Sequence, residues 1–219
     1  MDHIQYEEQE GELLVEAGAG VMLSGLARQV SSMGYTGFEY ATGIPGTLGG
    51  GVTMNAGAYG GEIKDVLSSC THIDNENKLG AFGVCQLELG YRHSVYADNN
   101  YVITGAVFRL HRDSPVEIRK RMDDYMNRRK TKQPVEFPSA GSVFKRPEGY
   151  FAGTLIQEAG LKGKQIGGAQ VSEKHAGFII NKGKATCKDV LDLIAHIKNT
   201  VKENSGIELE CEIKSVGRL

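Results

Sequence analysis

Residues 41–61, ATGIPGTLGGGVTMNAGAYGG, carry glycine at 43, 46, 49, 50, 51, 57, 60 and 61. Glycine loses more backbone entropy on folding than any other residue, so this density speaks against an ordinary helix or strand. Something has to compensate. One reading is close approach of the backbone to a ligand, with N–H groups turned toward phosphate oxygens. The other is a pair of glycine-rich turns that lets strands pack closely. Pro45 ahead of Gly46 fixes a turn. Asn55 tolerates left-handed geometry and hydrogen-bonds locally. Composition alone leaves both readings open.

Upstream, residues 12–15 read as a strand feeding the turn Ala17-Gly18-Ala19-Gly20. A helix follows, with Leu23, Leu26, Ala27, Val30 and Met33 on one face and Gly34 as its stop. The Gly18-Ala19-Gly20 piece lacks the third glycine of a dinucleotide fingerprint, which excludes a Rossmann reading. Downstream, residues 66–74 look extended, 75–80 form a turn, 87–96 hold the tight sequence Tyr91-Arg92-His93-Ser94, and 101–110 form a long strand.

A boundary follows. Ser114-Pro115-Val116-Glu117 is a capping box with proline at the first helical position. The helix carries Ile118, Met122, Tyr125 and Met126 on one face and ends in Arg128, Arg129 and Lys130. That cluster reads either as a solvated complement to the helix dipole or as a clamp for a phosphorylated substrate. Residues 138–147, PSAGSVFKRP, read as loop. Ala152, Leu155, Ile156 and Ala159 mark a short helix stopped by Gly160. Residues 167–171 and 178–181 read as strands. Thr186 caps a helix with Val190, Leu191, Ile194, Ile197 and Val201 inward. In 207–213, Ile207, Leu209, Cys211 and Ile213 alternate with Glu208, Glu210 and Glu212, which predicts a last strand. The pattern is two α+β units, 1–112 and 113–219.

With 219 residues, 40% apolar and 24% charged, the composition is that of a globular protein. A formal charge of −2 gives no basic field for nucleic acid. No apolar run is long enough for a membrane span, and the acidic start MDHIQYEEQEGE has no apolar signal core. Cys70, Cys85, Cys187 and Cys211 are scattered without a CxxC pair, which fits free thiols in a reducing cytoplasm. The histidines are dispersed, and none sits at HExxH spacing, so no metal is expected.

Five blocks in order, GIPGTLGGGVTMNAGAYGGEIKDV, YRHSVY, PSAGSVFKRP, GGAQVSEKHAGFIIN and LECEIKSVG, span residues 41–217. Together they resemble the UDP-N-acetylenolpyruvoylglucosamine reductase (MurB) family. The resemblance implies an α+β chain. Its first part is an FAD-binding domain of the vanillyl-alcohol-oxidase/PCMH type, and residues 113–219 are a substrate-binding domain. It implies NADPH-driven, FAD-dependent reduction of UDP-N-acetylglucosamine enolpyruvate to UDP-N-acetylmuramate, in peptidoglycan precursor synthesis. A cytoplasmic monomer without metal, nucleic acid or membrane partner is expected. The short stretch between Tyr96 and Ser142 resembles the subgroup lacking a substrate-covering insertion.

Residue roles follow from the same resemblance. Arg92 matches the arginine beside the substrate carboxylate, where a permanent charge and a fork suit an enolate-like intermediate. On its own it reads equally as a surface arginine. Ser142 matches the proton donor; a hydroxyl needs a strongly basic acceptor and tight positioning to act as an acid. By sequence alone it equally caps a turn. Glu212 matches the catalytic carboxylate; by periodicity it is a solvent-facing strand residue. Ile44, Gly46, Thr47, Gly49, Gly50, Asn55, Ala56 and Gly57 match the FAD-binding stretch. Tyr91, Tyr125, Arg129, Lys132, Lys145, Arg146 and His175 match positions toward the substrate. Cys211, Gly177 and Lys214 stand where the family usually has proline, asparagine and arginine. The family begins with a further subdomain bearing a second glycine-rich loop, and no such loop occurs in residues 1–40. These 219 residues alone are therefore expected to bind FAD weakly, and an inactive or binding remnant is the alternative reading.

Overall fold

The computed structural model describes residues 1–217. The chain divides into two compact units, Met1–Arg128 and Arg129–Leu219.

The first unit is organised on an antiparallel sheet. Strands β1 (Ile4–Gln9) and β2 (Glu12–Gly18) form a hairpin. After helix α1 (Leu23–Ser32) and the short β3 (Tyr35–Thr36), a 3₁₀ turn spans Glu39–Gly43. Helix α2 (Leu48–Thr53) and a tight β4–β5 ribbon (Gly57–Ala58 and Gly61–Glu62) complete the glycine-rich stretch. Strands β6 (Leu67–Ile73), β7 (Leu79–Gly83) and β8 (Val102–Arg112) follow. The order is β1-β2-β8-β6-β7, with β3 also on β8. Strand β8 is thus central. Its Ala106, Phe108 and Leu110 lie opposite Ala17, Val15 and Leu13 of β2, so one face of both strands is apolar. Leu23, Leu26, Ala27 and Val30, on one side of α1, join them in a single buried cluster. Gly34 (φ 84°) follows the helix in the left-handed region that glycine adopts without strain.

Strand β1 went unread in the sequence because, apart from half-buried Ile4, it is exposed on both faces and has no period-2 signal. More instructive is α2, a helix with the sequence LGGGVT in a stretch whose glycine content argues against any helix. Packing explains two of its three glycines. A Cβ on Gly51 would lie 2.3 Å from Leu23 Cδ1, and one on Gly49 would lie 3.0 Å from the Cβ of Ala19.

Buried His72 closes one end of the core. Its Nδ1 sits 2.9 Å from the Tyr96 hydroxyl, and its ring contacts Phe82, Tyr96 and Tyr101.

Helix α3 (Pro115–Lys132) starts at the expected proline, and Ile118 and Met122 are buried. The compact units divide within this helix, whereas the sequence pattern puts the boundary ahead of it. Arg121 supplies a reason. Its guanidinium donates to Glu39 Oε1 (2.8 and 3.1 Å) and to Asp113 Oδ2 (2.6 Å). Glu39 Oε1 and Oε2 also accept from the Thr36 hydroxyl (2.7 Å) and the Gly37 N–H (2.8 Å). Burial pushes the Glu39 carboxyl up, but those donors outweigh it and hold it below the usual carboxylate value.

The second unit holds the sheet β10-β11-β12-β9. Its elements are β9 (Ser139–Ser142), helix α4 (Ala152–Glu158), β10 (Gln165–Ile166), β11 (Ala169–Val171), β12 (Phe178–Asn181) and helix α5 (Cys187–Ser205). Leu155, Ile156, Val171, Leu193 and Ile197 are central to its own core. The Thr186 hydroxyl accepts from Asp189 N–H (3.1 Å) and Asp189 accepts from Thr186 N–H (2.9 Å), a full capping box. Two sequence expectations are corrected here. Residues 138–147 are not all loop, because SAGS forms β9 against β12; four small residues carry no hydrophobic period. Residues 207–210 alternate in burial, with Leu209 inside, and 211–213 are all half-buried, yet the segment joins no named sheet. Their one bridge among the described residues is Phe144 to Cys211. No helix of the described residues is long and apolar enough to cross a membrane.

Two outcomes follow from these contacts. Gly51→Ala is expected to destabilise the chain by about 1–3 kcal/mol, read from denaturant midpoints, because buried Leu23 must move. Burial lowers the His72 pKa, with Asp74 partly opposing. The unfolded chain therefore takes up the proton first as pH falls. The His72 contribution is complete above its unfolded value, about 6.5, and is lost below it. His72→Gln is expected to flatten the fall in stability between about pH 7 and 5; an unchanged slope would reject the assignment.

Candidate functional site

In the first unit the glycine-rich stretch is braced by backbone. Leu23 N–H donates to Gly46 O (3.1 Å), Leu48 N–H to Val21 O (2.8 Å) and Gly49 N–H to Ala19 O (2.9 Å). The Ala17–Gly20 turn region, which fails as a dinucleotide fingerprint, is thus one side of this brace. The two readings of the glycines then separate by position. Gly49, Gly51, Gly57 and Gly61 are hemmed in by the chain itself. Gly46 and Gly50 are not: a Cβ on Gly46 meets nothing within 4 Å, and one on Gly50 meets only Thr47 Oγ1 at 3.8 Å. Gly46 needs glycine for its φ of 117°. Gly50 is helical, exposed and unhindered, so nothing among the described residues accounts for the absence of a side chain there. Thr47 is exposed beside it, while Ile44, Ala56 and Gly57 are half-buried.

Asn55 has a different place. It is wholly buried, with φ 40°. Its amide nitrogen donates to Glu62 Oε2 and to Gly90 O, both at 2.9 Å, and its Oδ1 accepts from Lys64 N–H at 3.0 Å. The side chain thus faces the chain's own backbone and Glu62. Glu62 is also paired with Lys64 at 2.8 Å. Hydrogen bonding to Lys64 is the main cause that lowers its carboxyl, with smaller contributions from Asn55 and the charge of Arg92.

Arg92 sits at the tip of a two-residue turn. Gly90 and His93 exchange backbone hydrogen bonds at 3.1 and 3.3 Å, which leaves Tyr91 and Arg92 between them. Arg92 adopts φ 53°, a costly conformation for a branchless but bulky side chain. Its Nη2 donates to Gly57 O at 3.1 Å, and the guanidinium lies 5.1 Å from the centre of the half-exposed Tyr91 ring. Buried Ser94 donates to Thr53 O at 2.8 Å. Tyr125 stacks on Tyr59, with ring centres 4.8 Å apart and planes 6° from parallel.

In the second unit, three segments meet around β9. Val143 N–H donates to Gly177 O (2.9 Å), Glu212 N–H to Val143 O (2.8 Å) and Lys145 N–H to Glu210 O (2.8 Å). Ser142, the last residue of β9, is exposed, directly before Val143, whose carbonyl anchors half-buried Glu212. Gly141 (φ 84°) turns the backbone ahead of it. His175 Nδ1 accepts from Gly177 N–H at 3.1 Å, which leaves Nε2 as the proton-bearing nitrogen of the neutral ring. Burial lowers the His175 pKa, and the Lys162 charge adds to this, so the neutral form is favoured. A Cβ at residue 177 would lie 3.0 Å from His175 Cε1, which explains glycine there. Lys145 pairs with Glu210, and Arg146 lies over the Phe151 ring at 3.9 Å. Arg129 is half-buried and Lys132 exposed, on the last turn of α3.

The expected site residues therefore group as Ile44–Gly57 with Tyr91, Arg92 and Tyr125 in one unit, and Ser142, Lys145, Arg146, His175 and Glu212 in the other. Glu62, Ser94 and Gly90 O were missed, although Ser94 lies inside the quoted YRHSVY block. The signal available was the small polar residue two positions after the arginine.

Residues 1–79 match a family model described as "FAD binding domain", and residues 133–216 match "UDP-N-acetylenolpyruvoylglucosamine reductase, C-terminal domain". The protein is 53% identical over 203 residues to the UDP-N-acetylenolpyruvoylglucosamine reductase of Clostridium novyi, covering 93% of this chain and 66% of that protein. It is 52% identical to that of Clostridium perfringens, covering 93% of this chain and 67% of that protein. The chain thus spans about two thirds of the length of the curated relatives it matches. Among solved structures, the UDP-N-acetylenolpyruvylglucosamine reductase of Thermus caldophilus superposes with a TM-score of 0.81 at 35% identity, covering 91% of this chain and 71% of that one. An FAD-binding-domain match, a C-terminal-domain match and relatives at this identity agree with the α+β architecture: the chain belongs to the UDP-N-acetylenolpyruvoylglucosamine reductase (MurB) family.

Proposed function

We propose that this chain carries the NADPH-driven reduction of UDP-N-acetylglucosamine enolpyruvate to UDP-N-acetylmuramate, with FAD as cofactor, in peptidoglycan precursor synthesis. Its first unit binds the flavin, and residues of both units serve the sugar nucleotide. The observation that carries the reading is the backbone pairing Glu212 N–H to Val143 O, which holds Ser142 and Glu212 on adjoining extended segments, as the family's donor and carboxylate require. The cofactor test rests on the glycines. Gly46 and Gly50 leave open backbone on a rigidly braced loop, the form that close approach of a diphosphate needs. The residues present fit the group, and Ile44, Gly46, Thr47, Gly49, Gly50, Ala56 and Gly57 would hold it, mainly through backbone.

When bound, FAD supplies the hydride relay from NADPH to the terminal enolpyruvyl carbon. Arg92 holds the substrate carboxylate by its fork and stabilises the negative charge that spreads over it. The Ser142 hydroxyl gives its proton to the adjacent carbon of the enolpyruvyl group. Glu212 orients the donors around that carbon. Tyr91, Tyr125, Arg129, Lys132, Lys145, Arg146 and neutral His175 orient the rest of the sugar nucleotide. A monomer in the cytoplasm, serving cell-wall growth and division, completes the reading.

The test is anaerobic, at FAD concentrations that saturate even a weak site. Bleaching of the flavin band by NADPH, followed by recovery on adding the enolpyruvyl UDP-sugar, is the expected result. Bleaching without recovery would reject the substrate assignment. Ser142→Ala is expected to slow recovery about 10²–10⁴-fold and leave bleaching unchanged. Gly50→Ala separates the two readings of the glycines. It is expected to stabilise the cofactor-free chain by up to about 1 kcal/mol, since alanine is the better helix former, and to weaken FAD binding, read by fluorescence titration. Unaltered FAD affinity would remove Gly50 from the cofactor surface.

A further inference from the structure

We infer that Asn55 is a positioning residue for Arg92 and not a cofactor ligand: its carboxamide, with Ser94, clamps the Tyr91-Arg92 turn onto residues 53–57. This deepens, and rests on, the role proposed for Arg92.

The grounds are geometric. The Asn55 side chain uses both amide hydrogens and its oxygen on partners within the chain, at 2.9, 2.9 and 3.0 Å, and has no exposed surface. A group in that state has nothing to offer a ligand. One of its donors goes to Gly90 O, the residue that opens the arginine turn. The other end of the turn is fixed by Ser94, equally buried, whose hydroxyl donates to Thr53 O, two residues from Asn55. The arginine itself reaches Gly57 O, two residues on the other side. Three attachments to residues 53–57 therefore flank and include Arg92. Its left-handed backbone is unfavourable for arginine, so the surroundings must hold it there. Asn55 suits the centre of the clamp for a second reason. Its own φ of 40° is one that asparagine tolerates and most side chains do not.

Its second donor ties Glu62 into the same unit. Glu62 accepts from Asn55 and is neutralised by Lys64, which keeps a carboxylate near Arg92 without leaving it unpaired. The Asn55 oxygen holds the Lys64 backbone, so the three residues move together or not at all. An Asp in place of Asn55 would keep the oxygen and the backbone tolerance. It would lose both donors and set a second carboxylate against Glu62. A Gly would keep the backbone conformation and lose all three bonds.

The experiment uses the full chain with saturating FAD and the variants Asn55→Gly, Asn55→Asp, Ser94→Ala and Arg92→Ala. Misplacing a catalytic charge by an ångström costs about a hundredfold in rate. Asn55→Gly is expected to slow reoxidation of the reduced flavin by the enolpyruvyl UDP-sugar on that scale, with FAD affinity and reduction by NADPH unchanged. In the Arg92→Ala background the same substitution is expected to have little further effect, because its action runs through the arginine. Losses that multiply across the two sites, or a loss confined to FAD affinity, would overturn the proposal. The Arg92 guanidinium NMR signal gives a readout that needs no turnover. It is expected to sharpen in the native chain and to broaden in Asn55→Gly and in Ser94→Ala. An unchanged signal in both overturns the proposal. A changed signal in a chain that never reoxidises flavin sustains the clamp and rejects the reductase reading instead. Should Asn55→Gly fail to fold, Ser94→Ala carries the same comparisons from the other end of the turn.

Discussion

The first unit depends on the backbone brace between residues 19–23 and 46–49. Helix α2 carries three consecutive glycines, each costing about 1 kcal/mol relative to alanine in a helix. Propensity alone would unfold it. Two things oppose this. Backbone hydrogen bonds fix Gly46, Leu48 and Gly49 against Leu23, Val21 and Ala19, and removal of Cβ lets α2 approach Leu23 and Ala19 more closely than alanine would allow. The cost is therefore offset at Gly49 and Gly51 by packing. At Gly50 it is not, and an uncompensated local cost in an exposed position is the physical mark of a surface kept bare for something else.

A second constraint operates where the first unit meets helix α3. Most ion pairs on that helix, such as Arg119–Asp123 and Arg128–Asp124, lie in water and contribute at most about 1 kcal/mol. Arg121 differs because its partner Glu39 is buried. Removing one member of a buried pair typically costs about 3–5 kcal/mol, less here because Arg121 is partly exposed. The pair ties α3 to the 3₁₀ turn that leads into the glycine-rich loop. A helix that opens the second half of the sequence thereby belongs, for most of its length, to the fold of the first.

What could be read from the sequence followed the strength of local signals. Helices α1 and α5 had a periodic apolar face and a stop or cap, in Gly34 and Thr186, which place the end of α1 and the start of α5 within a residue or two. Strands β6 and β8 were likewise legible from their β-branched and apolar runs. Strand β9 was hidden, since Ser-Ala-Gly-Ser has neither period nor bulk and its pairing is decided by β12. The extended segment at 207–213 misled in the opposite direction. Its alternation holds in burial only as far as residue 210, and burial on one face does not require sheet partners along its length. For the proposed site, the roles of Arg92, Ser142 and Glu212, residue types with chemistry of their own, come from motif resemblance. Ser94 and Glu62 were missed because a hydroxyl bonded to a distant backbone carbonyl, or a carboxylate bonded to a side-chain amide in the next loop, carries no spacing rule.

Asn55 shows why a motif and a geometry must be read together. In a glycine-rich stretch with a flavin-family signature, an asparagine looks like one more ligand. Its complete burial and its three internal hydrogen bonds are the grounds for proposing a positioning role instead. A polar side chain is costly to bury unless every donor and acceptor is met. One that is fully met is a fixed point of the fold. The positions that remain free to meet a ligand are then the ones with no internal reason for their composition. Gly50, with its missing side chain, is one. In this chain, rigidity sits in the buried polar groups, and they hold the neighbouring bare backbone in place.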